Sequence, residues 1–163
     1  MREPGQLTRT LNDEAATRAE GAALAAALLA TDPPAAFITI AGELGAGKTT
    51  LVRGLLEALG VTGPIRSPTY TLIESYPAGG RRLHHLDWYR LAGADDLEGL
   101  GFRELLGPGH WVLVEWPERA PTVAAQADLA LGLAYEGAGR RLEARAATPR
   151  GAEVLRRWIQ RNA

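Results

Sequence analysis

The chain has 163 residues, 46% of them hydrophobic and 23% charged, with a formal net charge of −1 and no cysteine. That length and balance fit one folded domain with a buried core and exclude a disordered chain. The near-zero charge excludes a whole-protein field for nucleic acid or anionic lipid, and the missing cysteine excludes disulfides and thiolate metal sites. Residues 1–6 carry both charge signs with no apolar run behind them, and the longest apolar stretch, 21–30, is far short of a membrane span. The expected location is the cytoplasm.

In chain order, residues 7–11 alternate apolar and polar and read as a short strand. Asn12 or Asp13 caps a helix expected to run to about Leu29, with Glu14 favouring its positive end, and Pro33 and Pro34 break it. Residues 35–41 form a continuous apolar run, the pattern of a buried parallel strand. A glycine-rich turn follows, then Leu51, Leu55 and Leu59 at helical spacing, with Gly60 as the stop. After a loop at 64–68, strands are expected over 69–76 and 82–87, joined near Gly79 and Gly80 as a hairpin. Residues 94–106 are helical in parts, interrupted by Gly99 and Gly101, and 111–115 is a buried strand stopped by Pro117. Residues 128–135 and 140–147 form a second hairpin, and 153–161 a terminal helix.

Of the 18 basic residues, 17 are arginine, and the only lysine is Lys48. A composition that removes every other lysine leaves the survivor where a planar guanidinium cannot replace a compact ammonium. Lys48 lies in Gly42-Glu43-Leu44-Gly45-Ala46-Gly47-Lys48-Thr49, a full match to G-x-x-x-x-G-K-[ST] between a strand and an amphipathic helix. Glycines let backbone N–H groups converge on phosphate oxygens, and the helix that begins there favours an anion. Lys48 is placed to reach the β and γ oxygens, and the Thr49 hydroxyl to bind Mg²⁺. Glu43, Gly45, Ala46, Gly47 and Thr50 complete the nucleotide-binding set. The expected architecture is α/β: a P-loop NTPase-like mixed β-sheet flanked by helices, with antiparallel hairpins, as one ATPase domain over 1–163. Guanine readers of this class use N-K-x-D, which the single lysine forbids, so ATP is the expected nucleotide. Asp96-Leu97-Glu98-Gly99 matches D-x-x-G by letter only, since no strand precedes it.

Such a site needs carboxylates near the metal and the attacking water. Two strands end in acids, at Asp87 and Glu115, where an open α/β sheet presents its ligand crevice. His85 is either a metal ligand or a hydrogen-bonded structural histidine. Thr69, within Ser67-Pro68-Thr69-Tyr70, is the candidate γ-phosphate sensor, the competing reading being a turn residue entering a strand.

The blocks 42–50, Ser67-Pro68-Thr69-Tyr70-Thr71-Leu72, His85-x-Asp87-x-Tyr89-Arg90-Leu91 and Glu115-Trp116-Pro117-Glu118, in this order, resemble the TsaE (YjeE) family. The departures are Leu86 where phenylalanine is usual and Trp88 where leucine is usual. The resemblance covers nearly the whole chain and implies an ATPase of tRNA threonylcarbamoyladenosine synthesis. Its implied partners are the TsaB and TsaD proteins, which ATP hydrolysis would reset between turnovers, with tRNA met through that complex. It implies that Thr49 and Glu115 hold Mg²⁺, that Asp87 supports the metal or water, and that Trp116 lies near the nucleotide. It also implies that Arg141, or its neighbour Arg140, touches the nucleotide. Two other readings stand beside this one. A small-molecule kinase shares the loop but needs an acceptor pocket and a lid. A nucleotide-dependent tRNA-binding module would use the seven arginines of 140–163, which face only Glu143 and Glu153.

Overall fold

The computed structural model describes residues 5–161; the first four residues of the 1–6 stretch and the last two of the basic 140–163 segment lie outside them. The elements are β1 (Gln6–Leu11), α1 (Glu14–Thr31), β2 (Ala36–Ala41), α2 (Lys48–Ala58), β3 (Ile73–Ala78), β4 (Arg81–Asp87), α3 (Asp95–Gly99), β5 (His110–Glu115), α4 (Pro121–Ala124), β6 (Leu129–Glu136), β7 (Gly139–Ala146) and α5 (Pro149–Arg161). Two 3₁₀ turns, Phe102–Leu106 and Pro117–Arg119, flank β5. All the strands join one sheet in the order β1-β7-β6-β2-β5-β4-β3. Strands β4, β5, β2 and β6 run parallel, and β3, β7 and β1 run antiparallel to their neighbours. This is the mixed α/β sheet with two hairpins that the sequence leads one to expect.

Helices α1, α2 and α5 cover one face over a core that includes Leu24, Leu28, Ile40, Leu55, Leu142 and Trp158. On the other face α3, α4 and the 3₁₀ turns cover only the central strands, over Phe37, Leu86, Trp88, Phe102 and Val114. Helix α1 starts where Asp13, in extended backbone, accepts the N–H of Ala16 at 2.8 Å, and it ends at Asp32 in the left-handed region. Between α1 and α2 two glycines are essential. A Cβ at Gly21 would collide with the carbonyl oxygen of Leu51, and one at Gly54 with that of Arg18. The helices therefore meet backbone to backbone, which fixes the start of α2 against the sheet.

Two boundaries differ from expectation, each for a local reason. The strand expected from Thr69 begins at Ile73, because residues 69–72 close a turn: Leu72 donates its N–H to Pro68 and takes φ 67°. The helical stretch over 94–106 is divided as expected: α3 ends at Gly99, and Gly101, with φ 70°, precedes a 3₁₀ turn. The terminal helix begins earlier, at Pro149, since the Thr148 hydroxyl accepts the N–H of Gly151 and Pro suits the first turn. Among the described residues no helix is long and apolar enough to cross a membrane.

Candidate active site

The parallel strands place the site. In the middle of the sheet β2 ends at Ala41 and the chain turns into the loop 42–47, which delivers α2. Glu115 at the end of β5 pairs with Ile40 on one side and with Asp87 at the end of β4 on the other. The loop and both acids thus emerge at neighbouring strand ends by register alone.

The loop takes backbone conformations that suit glycine. Gly42, Gly45 and Gly47 all have positive φ. A Cβ at Gly42 would strike the carbonyl of Leu133, and one at Gly45 the hydroxyl of Tyr135. Its outward carbonyls are held from the β6–β7 hairpin: Tyr135 donates its hydroxyl to Leu44 O at 2.8 Å, and Arg140 donates to Gly45 O at 3.1 Å and Ala46 O at 3.2 Å. The Arg140 guanidinium also stacks 4.2 Å from the Tyr135 ring centre. Among the described residues no side chain caps the N-terminus of α2, so its first N–H groups are available to an anion.

Lys48 is buried. Its ammonium donates to Gly42 O and to Glu43 O, and it sits 3.9 Å from the centre of the Trp116 ring. Burial pushes its pKa below the usual lysine range, opposed by the charges of Glu115, Glu118 and Asp87. Trp116 reaches this position through a left-handed backbone, φ 62°, and its ring lies 4.9 Å from that of Tyr89. A non-glycine residue held in that region is a strained position of the kind that clusters at functional sites.

Glu115 and Asp87 are both buried. Glu115 Oε2 accepts from His85 Nε2 at 2.6 Å. Asp87 Oδ1 accepts the N–H of Tyr89 at 2.9 Å, and Oδ2 accepts the Thr69 hydroxyl at 3.3 Å. Thr69 in turn lies 2.8 Å from Ser67 Oγ. Lys48 and Trp116 are thus in contact, Thr69 bonds Asp87, and Asp87 and Glu115 stand side by side at neighbouring strand ends. Buried carboxylates beside a buried ammonium suit Mg²⁺ and phosphate, since the donors are the hard oxygens that Mg²⁺ takes alongside phosphate.

Arg141 is not brought to the loop. On β7 the buried residues are Leu142 and Ala144, so Arg140 shares their face and Arg141 points the other way, to an exposed ion pair with Glu143 at 2.8 Å. Of the two neighbours, Arg140 is the one at the site, and it grips loop carbonyls. The apolar alternation of Leu142 and Ala144 carries this parity in the sequence. Tyr135 was not anticipated, and a half-exposed tyrosine at the end of an otherwise alternating strand gives no signal of its own.

A cavity of about 270 Å³ opens on the hairpin side of the loop, bordered by Asp13, Glu14, Thr17, Gly47, Thr50 and Arg140. A larger groove of about 430 Å³ lies over α3, but Asp95, Glu98 and Glu104 line it, and those charges oppose a triphosphate.

The sequence profile of the family described as threonylcarbamoyl adenosine biosynthesis protein TsaE matches residues 11–142. A Haemophilus influenzae protein named tRNA threonylcarbamoyladenosine biosynthesis protein TsaE is 38% identical over 121 residues, which are 74% of this chain and 77% of that protein. Proteins of the same name from Synechocystis and Bacillus subtilis are each 41% identical, over 58% and 66% of this chain. The matched segments span 62% and 64% of those two relatives. The crystal structure of Bacillus subtilis YdiB superposes over the whole of both chains with a TM-score of 0.78 at 24% identity, which makes the fold the same.

Proposed function

This chain belongs to the TsaE family, and from that premise we propose that it is a Mg²⁺-dependent ATPase, one domain over 1–163, that serves the synthesis of threonylcarbamoyladenosine in tRNA. The observation that carries the reading is Lys48: a buried ammonium in the glycine-rich loop motif, against the Trp116 ring and within the electrostatic reach of the two buried strand-end carboxylates. Nothing in that arrangement serves packing, and burying so much charge is costly unless a ligand uses it.

The N–H groups of the loop and the start of α2 bind the phosphates, and Lys48 exchanges the carbonyls of Gly42 and Glu43 for β and γ oxygens. Thr49, Glu115 and Asp87 are the residues that would hold Mg²⁺, and the metal would neutralise charge on the phosphate oxygens. Asp87, which bonds Tyr89 and Thr69, and Glu115, which bonds His85, would orient water at the γ end. Thr50 and the 270 Å³ cavity lead away from Lys48 toward Asp13 and Glu14. Those carboxylates accept from the 6-amino group of adenine and repel the O6 of guanine, which supports ATP over GTP.

The work is proposed to be done on TsaB and TsaD, in the cytoplasm, with hydrolysis resetting their complex and tRNA met through it. The test is phosphate release from Mg-ATP by the purified chain, alone and with TsaB, TsaD and tRNA from the same host. Slow release alone that rises with the complex is expected. No release under either condition overturns the reading.

A further inference from the structure

We propose that His85 is a positioning residue for hydrolysis: its Nε2–H pins one oxygen of Glu115 and leaves the other facing the phosphate loop. This rests on the ATPase reading above.

The argument starts from strand parity. Leu83 and Leu86 of β4 belong to the two opposite cores, so Leu83, His85 and Asp87 share the face toward α2, while His84 and Leu86 share the other. Two consecutive histidines therefore enter different surroundings, and the contrast is informative. His84 has both ring nitrogens engaged, Nδ1 with Ser75 at 2.7 Å and Nε2 with His110 at 2.8 Å. That is how a buried structural histidine is satisfied.

His85 is more deeply buried, at 1% exposure, and only its Nε2 has a partner; among the described residues Nδ1 has none. For Nε2 to donate to Glu115, the proton must sit on Nε2, which leaves Nδ1 as a buried acceptor without a donor. A backbone carbonyl beside Nδ1 would satisfy that nitrogen but would draw the proton to it and turn a lone pair toward Glu115. The unpaired Nδ1 is thus the counterpart of a guaranteed donor at Nε2. A buried group left unsatisfied this way calls for a functional account.

Glu115 needs such a donor. It is 3% exposed, and the one hydrogen bond of its carboxylate among the described residues is the one from His85. Lys48 attracts it through space. Without His85 the carboxylate turns to the ammonium, which takes Glu115 from water and metal and Lys48 from phosphate. With His85, Oε2 is occupied and Oε1 remains for the chemistry.

Two readouts test this on the full chain. The first does not use activity. The chain has three histidines, so nitrogen NMR of ¹⁵N-histidine-labelled protein is assigned by single substitutions. It should show His85 as the Nε2–H tautomer, and an Nδ1–H tautomer overturns the proposal. The second uses variants. Gln carries its amide nitrogen near the place of Nε2, Asn near the place of Nδ1, and Phe fills the volume with no donor. His85→Phe and His85→Asn should lose roughly 30-fold or more in kcat, with calorimetric Mg-ADP affinity within about 3-fold of the parent. His85→Gln should recover to within about 5-fold of the parent kcat. A purely structural histidine predicts the reverse, with His85→Phe less heat-stable than the parent but as active while folded. An active His85→Phe, or a folded His85→Gln no better than His85→Asn, overturns the proposal. If the parent itself releases no phosphate from ATP, the ATPase reading fails, and the tautomer measurement still decides whether His85 supplies Glu115 with its donor.

Discussion

The phosphate loop has two neighbours that treat it differently. On the β4–β5 side, the Trp116 ring lies against the Lys48 ammonium, and the buried Glu115 and Asp87 carboxylates act on its charge. On the β6–β7 side, Tyr135 and Arg140 hold the backbone from outside and never enter the interior. One side supplies charge where a γ-phosphate would leave; the other shapes the cradle. The difference separates turnover from affinity, because interactions made only at the reacting end raise kcat, while a preformed cradle binds substrate and transition state alike.

The largest expected effect breaks both sides together. Lys48→Ala should abolish phosphate release, and Lys48→Arg should fail nearly as completely, since a planar fork does not fit a buried pocket closed by the Trp116 ring. An arginine variant with near-normal release would refute this. Next, Glu115→Gln keeps volume and one acceptor but loses the anion. Hydrolysis should fall by roughly 10²-fold while Mg-ADP still binds in calorimetry. If Glu115→Gln is normal and Asp87→Asn is dead, Asp87 is the principal acid.

The hairpin side should behave oppositely. Arg140→Ala should weaken ADP binding by about 10-fold, with kcat at saturation within about 3-fold. Arg141→Ala, whose partner is the exposed Glu143, should leave both unchanged. Equal losses from the two arginines would erase the distinction drawn from strand parity.

The smallest effect lies on the outer face of β4. Burial, aided by His110 and Arg82, lowers the pKa of His84 from 6.5 to about 4. The unfolded chain then takes up the proton first as pH falls. The stability contributed by neutral His84 is full above 6.5 and lost as pH falls toward about 4. Thermal unfolding should show His84→Gln losing less stability than the parent on acidification to about pH 5, by on the order of 1 kcal/mol. Hydrolysis at neutral pH should not change, which makes His84 the control for His85.

Much of this was legible before any coordinates. The loop was legible because phosphate binding demands fixed residue types at fixed spacing, and Lys48 was doubly marked as the only lysine. The strand-end acids were legible because parallel strands in an α/β sheet present their C-terminal ends to ligand. The turn at 69–72 was not, since β-branched and aromatic residues read as strand until Leu72 adopts its left-handed backbone. The choice between Arg140 and Arg141 lay in the alternation of Leu142 and Ala144, whereas the reach of Tyr135 to Leu44 depends on sheet order, which no local pattern encodes.

Strand β1 has a consequence for how the molecule is made. It is one of the two edge strands, and its one partner among the described residues is β7, with Gln6 opposite Arg145 and Leu11 opposite Arg140. During synthesis the first strand to emerge waits for the last one, and Arg140, which closes the cradle, arrives with it. Such pairings of high contact order form late and slowly. A chain halted before β7 keeps Leu7 and Leu11 without their strand and leaves β6 as a bare edge, an invitation to intermolecular pairing. Completion of the sheet and the arrival of the Arg140 bonds to the loop carbonyls are thus one event, so the loop takes its final shape only when the chain also loses its bare edge.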